Sequence, residues 1–273
     1  MRYFIILFVS ALFLFGACKP GASETDAHLA KGNDYVLLDD FANAKKEYDL
    51  ALKVDTANWR ACYELGGVYE LEGDFTNALY YFNRAIKLNP KFTLGYYNRA
   101  NLEELMGDEK ASVADLRFTL EHKKGFYMAL IAESRKNINA GKYKEALADL
   151  DEVIQLRQDF YLPYSMRGSC KFKMGDMAGA VQDFGMEIRT QPGHAMGYVN
   201  RAVAYSGMKE YRAAIIDLDT AIQIDPRWSQ AYLYRGQFLY TLKSKDSACH
   251  DFRTAQALND PQADGYVKQY CGK

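Results

Sequence analysis

A period of 34 residues runs through most of this 273-residue chain and limits what the chain can fold into. With Thr25 as position 1, every repeat has a small residue at positions 8 and 20 and a bulky residue at position 24. The small residues at position 8 are Gly32, Gly66, Ala100, Ser134, Gly168, Ala202 and Gly236, and those at position 20 are Ala44, Ala78, Ser112, Ala146, Ala180, Ala214 and Ala248. Position 24 holds Tyr48, Phe82, Leu116, Leu150, Phe184, Leu218 and Phe252. Small residues let two helix backbones approach closely, and large side chains fill the space beside the crossing.

Each repeat therefore reads as two amphipathic helices joined by a tight turn. In residues 195–226, apolar residues are spaced by three and four on both sides of a break at residues 207–210, which is the helical pattern. Glycine at position 15 predicts the end of the first helix in four repeats, at Gly73, Gly107, Gly141 and Gly175. The next residue predicts the N-cap of the second helix, at Asp40, Asp74, Asp108, Asp176 and Ser244.

This pattern resembles the tetratricopeptide repeat. The clearest copy has Tyr198, Ala202, Tyr205, Ala214, Leu218, Ala221 and Pro226 at the family's offsets. The resemblance covers residues 25–262 and implies an all-α fold, a right-handed superhelical solenoid of seven helix-turn-helix units. Residues 263–273 would form a C-terminal capping helix and tail, because a solenoid buries its core only against neighbouring repeats.

Opposite charges recur at positions 7 and 23. The pairs are Arg99/Asp115, Arg167/Asp183, Arg201/Asp217, Arg235/Asp251 and Lys31/Glu47. Matching is better within a repeat than between neighbouring repeats, so we expect a bridge between the two helices of one repeat. Glu133 and Asp149 in the fourth repeat break the rule.

Residues 1–17 have the pattern of a secretory signal. Arg2 precedes an apolar run at residues 3–15, which is short for a membrane-spanning helix. The sequence Leu-Phe-Gly-Ala-Cys at residues 14–18 resembles a bacterial lipobox, which implies cleavage before a lipidated Cys18 and a tether at residues 18–24. The expected location is the bacterial cell envelope, anchored by lipid to the outer membrane on its periplasmic or surface side. A cleaved signal with an incidental cysteine and an uncleaved anchor remain alternatives.

Composition and motifs point away from catalysis and from nucleic acid. A formal net charge of -1 gives no electrostatic reason to bind a polyanion. The four histidines, His28, His122, His194 and His250, are scattered, and there is no phosphate loop or nucleophile elbow. We therefore expect no enzyme activity, no metal and no cofactor.

The cysteines other than Cys18 fall into two groups. Cys62 and Cys170 lie on helix faces expected to be buried. Cys249 and Cys271 lie in the last repeat and its cap, which should touch, so a disulfide is possible between them if the protein is exported.

The remaining candidate for function is the concave surface, which the family resemblance assigns to positions 2, 5, 9 and 12 of the first helices. The groove residues predicted in this way are Tyr63, Leu94, Tyr97, Asn101, Met128, Ile131, Arg135, Leu162, Phe172, Met196, Val199, Leu233 and Tyr240. Tyrosine and methionine are common on surfaces that adapt to a partner. The predicted function is a scaffold that docks a protein or peptide segment in this groove. The alternative is a glycan- or peptidoglycan-binding protein that uses exposed tyrosines, and many of the groove residues could instead pack between helices.

The lipid anchor can be tested by Cys18→Ala. The variant should leave the membrane fraction and lack the mass of the acyl chains, because the thiol that carries them is absent. Fractionation and intact-mass spectrometry measure both effects. A variant that stays membrane-bound with an unchanged mass would contradict the lipoprotein assignment.

Overall fold

The structure, a computed structural model, describes residues 23–272, and within them it consists of α-helices and short turns. The helices are α1 (Glu24–Leu37), α2 (Phe41–Val54), α3 (Trp59–Glu72), α4 (Phe75–Leu88), α5 (Thr93–Leu105), α6 (Glu109–His122), α7 (Tyr127–Asn139), α8 (Tyr143–Leu156), α9 (Tyr161–Lys173), α10 (Met177–Thr190), α11 (Ala195–Gly207), α12 (Tyr211–Ile224), α13 (Ser229–Thr241), α14 (Lys245–Ala257) and α15 (Ala263–Tyr270). They form two compact blocks that divide between Ala129 and Leu130. The predicted signal, Cys18 and the start of the tether lie outside the described residues.

Each block is a stack of helix pairs, so the predicted fold class, a helical-repeat solenoid, is confirmed. Six of the seven first helices begin at position 1 and all seven second helices begin at position 17 of the 34-residue period. The right-handed superhelical path stays a prediction. In the described range, no helix combines the length and hydropathy needed to cross a bilayer.

The turn inside each repeat depends on a left-handed residue at position 15. The four predicted glycines all have positive φ, and Asp39, Lys209 and Lys243 take the same conformation in the other three repeats. The four predicted aspartate N-caps each accept a hydrogen bond from the backbone N–H of the third residue of the helix. The prediction for Ser244 is wrong, because its side chain makes no capping bond.

Where the two helices of a repeat cross, the side chains at positions 8 and 24 are matched in size. A Cβ atom on Gly66 would lie 2.6 Å from Cδ1 of Phe82, which is closer than packed atoms approach. The same conflict arises between Gly32 and Tyr48, Gly168 and Phe184, and Gly236 and Phe252. The three repeats with alanine or serine at position 8 all have leucine at position 24. A larger side chain on one helix thus requires a smaller one on the other.

The predicted charge bridges between the helices of one repeat are confirmed at four repeats. Arg99, Arg167, Arg201 and Arg235 each form two hydrogen bonds to the aspartate at position 23 of the same repeat. Three of them also reach back to position 25 of the preceding repeat, at Asn83, Asp151 and Asp219. Each guanidinium lies over the tyrosine ring three residues earlier, at Tyr96, Tyr164, Tyr198 and Tyr232. The arginine therefore links the two helices of its own repeat, and in three of the four cases it also links that repeat to the preceding one.

Two repeats depart from this arrangement. The predicted Lys31–Glu47 bridge is wrong: Glu47 contacts Nδ1 of His28 at 2.6 Å, and Lys31 is exposed. In the fourth repeat, Asp149 accepts a hydrogen bond from Asn137 at 3.3 Å. Burial raises the pKa of Asp149 to about 6, and the charge of Glu133 acts in the same direction.

The C-terminal end of the second block is closed by α15. Its Tyr266, Val267 and Tyr270 pack on a cluster that contains Leu233 and Phe252. Cys249 and Cys271 are joined by a disulfide, with their Cα atoms 5.4 Å apart. The free cysteines of the described range, Cys62 and Cys170, are buried, as expected for small core residues.

The size match predicts opposite effects for two adjacent glycines on α3. Gly66→Ala should destabilise the protein by about 1–3 kcal/mol through overpacking against Phe82. Gly67→Ala should stabilise it by about 1 kcal/mol, since a Cβ there meets no atom within 4 Å and alanine favours helix. Denaturant unfolding of both variants measures the difference.

Adding Phe82→Leu to Gly66→Ala should recover part of the loss, because it recreates the alanine–leucine combination of the third and sixth repeats. Equal effects of the two alanine variants, or no recovery in the double variant, would contradict the size match.

Candidate partner-binding groove

The predicted groove residues of the first block lie on α3, α5 and the start of α7. Tyr63 is half-buried; its hydroxyl accepts a hydrogen bond from the Asn98 amide, and its ring packs edge-on against Phe92 at 4.9 Å. Tyr97 packs edge-on against Phe126 at 5.1 Å. Leu94, Asn101 and Met128 are also partly exposed. Tyr63 and Tyr97 are therefore held by neighbouring side chains and are both partly exposed.

Two carboxylates, those of Glu64 and Glu70, follow Tyr63 on α3. Burial raises the pKa of Glu64 to about 7, and burial also raises the pKa of Glu70 to about 7. The side-chain Oε2 of Glu70 is buried without a hydrogen bond. Both carboxylates also raise the pKa of the Tyr63 hydroxyl, after burial, which is the larger cause. The first block therefore holds negative charge that costs free energy to keep ionised.

The second block contains a pocket of about 300 Å³. It is lined by Ser169, Phe172 and Lys173 of α9, Phe184 of α10, Met196, Val199, Asn200 and Val203 of α11, and Gln230 and Tyr234 of α13. Three of the predicted groove residues, Phe172, Met196 and Val199, are brought together here. The first helices of three consecutive repeats supply nine of the ten lining residues, and the remaining one is the position-24 aromatic Phe184.

The pocket has an apolar floor and a polar rim. Val199 is buried, while Met196 is 43% exposed and stands at the opening. Gln230 donates a hydrogen bond to the Tyr234 hydroxyl at 2.9 Å, which fixes both side chains on one side. Lys173 is the one charged residue of the lining and is exposed. Such a site suits an apolar side chain of a partner, with polar groups left to bond its backbone.

Other predicted groove residues of this block lie outside the pocket. Ile131 is buried, and Arg135 and Leu162 are partly exposed. Leu233 is 1% exposed and lies under α15, so it is a core residue and its assignment to the groove is wrong. Tyr240 of α13 packs against Tyr270 of α15, with their ring centroids 4.5 Å apart. The cap occupies the surface that these two residues would otherwise present.

The sequence prediction missed several residues of the pocket. Ser169, Val203 and Gln230 occupy predicted positions, and comparison of the repeats could have found them. Asn200 and Tyr234 occupy position 6, which was left out of the predicted set. Phe184 was assigned to the helix crossing, and its exposure to the pocket depends on the space that its neighbours leave.

The structure also bears on the other sites considered. Within residues 23–272, no group of three or more histidine, cysteine, aspartate or glutamate side chains is arranged to hold a metal ion. Tyr80, at 58% exposure, is exposed and lies on a second helix, whereas the other tyrosines of that range are half-buried or buried. The described tyrosines therefore give no support to the sugar-stacking alternative.

Comparison with known families gives two matches, both to models of the tetratricopeptide repeat, at residues 59–92 and 197–227. The chain contains tetratricopeptide repeats. The TPR matches correspond to the second and sixth repeats of the 34-residue period. A search of curated proteins gave no significant match.

Solved TPR structures share the fold at low identity. A TPR protein from Parabacteroides merdae has a TM-score of 0.63 at 20% identity over 92% of this chain and 100% of its own. The C-terminal part of a TPR protein from Cytophaga hutchinsonii has a TM-score of 0.72 at 11% identity, covering 88% and 100%. YrrB, described as a TPR protein with an unusual peptide-binding site, has a TM-score of 0.58 at 19% identity, covering 67% and 95%. At these identities the likeness shows the fold.

The raised pKa values of Glu64 and Glu70 on α3 predict that the free energy of unfolding depends on pH. Because their folded pKa of about 7 exceeds the ordinary value of 4.5, folding favours the protonated form. Their contribution to stability is present below pH 4.5 and is lost as the pH rises through 7. The double variant Glu64→Gln/Glu70→Gln should therefore be more stable than wild type at pH 8, with the difference shrinking toward pH 4.5.

Thermal unfolding midpoints at several pH values measure this effect. The matched control is Glu121→Gln, which neutralises an exposed carboxylate of the same block. A double variant whose pH profile follows that of the control would show that the two carboxylates are solvated.

Proposed function

We propose that this protein is a non-catalytic docking scaffold that binds an extended segment of a protein partner in the groove of the second block. The observation that carries the proposal is the pocket between α9, α11 and α13, where apolar floor residues meet a polar rim. An apolar side chain of the partner enters this pocket, and its backbone lies across the rim.

The TPR fold supports a protein-binding role because its first helices present such a surface without needing catalytic groups. The structural likeness to YrrB, whose description names a peptide-binding site, is consistent with this use of the fold. Since YrrB and this chain share 19% identity, their likeness concerns the fold, and the proposal is based on the pocket of this chain.

We further propose that the scaffold is held in the bacterial envelope through lipid on Cys18. The support is the signal-like segment at residues 1–17 and the short tether at residues 18–24. Anchoring would keep the groove close to a membrane and favour partners that are themselves in the envelope.

Site-specific photocrosslinking in cells tests the docking site. A photoreactive residue at Met196, which is 43% exposed at the pocket, should give a discrete adduct with one protein. The control position is Ile216, which is 66% exposed on α12, the second helix of the same repeat, and lies outside the pocket lining. Adducts from the two positions are compared by mass on gels and identified by mass spectrometry.

A charge in the pocket should weaken this adduct. Val203 also lines the pocket. Burial of an apolar side chain contributes about 1.5–3 kcal/mol, so Val203→Asp should weaken binding by about tenfold or more while the photoreactive residue stays at position 196. Ile216→Asp, made in the same way, should leave the adduct unchanged. Identical adducts from both probe positions, or an adduct that Val203→Asp leaves undiminished, would place the interaction elsewhere.

A further inference from the structure

The fifth repeat carries two substitutions that set it apart from the other six. Position 27 is small or apolar elsewhere and holds Ala51, Ala85, Thr119, Val153, Ala221 and Ala255, but here it is Glu187. Position 34 holds an aromatic ring in four repeats, Phe92, Phe126, Phe160 and Trp228, but here it is His194. Both residues can exchange a proton, and they occur together.

The structure brings these two residues into contact beside the pocket. Glu187 on α10 is fully buried, and its Oε1 lies 2.9 Å from Nδ1 of His194 at the start of α11. His194 packs edge-on against Tyr161 at 5.3 Å, and its side chain is 36% exposed, so it can exchange protons with water. A Cβ on Gly197 would lie 3.1 Å from Cδ of Glu187, so the glycine leaves room for the carboxylate.

Among residues 23–272, the charged groups on the helices around Glu187 bond other carboxylates or are exposed. On α9, Arg167 and Lys171 both bond Asp183, one turn earlier on α10. On α11, Arg201 approaches α10 at Gly185, but its guanidinium is bonded to Asp217.

Two further groups on α9 and α10 complete these surroundings. Ser165 of α9 faces the carboxyl, and Arg189 of α10 is exposed. Oε2 of Glu187 is buried without a hydrogen bond. Burial raises the pKa of Glu187, although Ser165 and His194 act in the opposite direction.

The charge balance of Glu187 and His194 therefore depends on one shared proton. When this proton is present, either the imidazole is charged and balances the carboxylate, or the carboxyl group is neutral. When it leaves at higher pH, a carboxylate remains in a buried site with no opposite charge, which is costly unless water enters. His194, which contacts this carboxylate, lies at the start of α11, and the same helix carries Met196 and Val199 of the pocket.

We propose that Glu187 and His194 form a proton-operated latch, which holds the start of α11 against α10 at lower pH and releases it as the pH rises. The latch sets the shape of the pocket on its own, and its effect on partner affinity rests on the proposed function. The other repeats lack this pair; in the second repeat, for example, Ala85 and Phe92 occupy the corresponding positions.

Methyl NMR on the full chain tests the latch without any partner. With 13C-methyl methionine and valine, the signals of Met196 and Val199 should shift sigmoidally between pH 5 and 8.5. Met208, just beyond the other end of α11, should stay unchanged. In Glu187→Gln, where position 187 no longer has a carboxyl group, the Met196 and Val199 signals should lose that shift. In Glu187→Ala/His194→Phe, which introduces residues found in other repeats, the Met196 and Val199 signals should also be independent of pH.

Two results would overturn the proposal. One is a pH-independent position of both pocket signals in wild type. The other is a shift that persists in Glu187→Gln, which would report only the local charge of the imidazole. If Glu187→Gln fails to fold, Glu187→Ala, which keeps His194 and has the residue found at position 27 in four other repeats, carries the same comparison. Because no partner is present, these outcomes are independent of whether crosslinking finds one.

Discussion

The size match between positions 8 and 24 is the contact on which each repeat depends. Glycine at position 8 lets an aromatic ring from the second helix lie directly on the backbone of the first, as Gly66 and Phe82 show. Where position 8 carries a methyl or hydroxymethyl group, leucine replaces the ring. The distance between the two helices is thus kept constant by exchanging volume across the crossing, and a constant distance is what allows successive repeats to stack.

The arginine at position 7 adds direction to this packing. Apolar contacts are tolerant of small rotations, whereas a guanidinium that bonds two carboxylate oxygens is satisfied in one geometry. Arg167 and Arg235 bond an aspartate of their own repeat and another of the preceding repeat, so they link two crossings. Such half-buried pairs specify geometry more surely than they add stability. Each arginine also covers a tyrosine ring, which keeps that ring from solvent.

The groove follows from this scaffold but is not uniform along it. In the first block, Tyr63 and Tyr97 pack against neighbouring aromatic rings, and the half-buried carboxylates of Glu64 and Glu70 lie on the same helix as Tyr63. In the second, small and aliphatic residues leave a pocket above Phe184. The fifth repeat adds the buried Glu187 and His194 beside that pocket. Repetition thus builds the frame, and departures from repetition create chemistry that the frame alone lacks.

The sequence by itself determined the repeat length, the helix starts, the turn glycines and four of the five charge pairs, because each depends on residues close in sequence or recurring at a fixed offset. It did not determine which groove positions face solvent. Leu233 has the same repeat position as Tyr63, yet α15 buries it. Likewise Glu47 pairs with His28 and not with Lys31, because the packing of the helices decides which side chain comes within hydrogen-bond distance. Exposure and pairing are properties of the assembled helices, and a single repeat carries no information about what its neighbours cover.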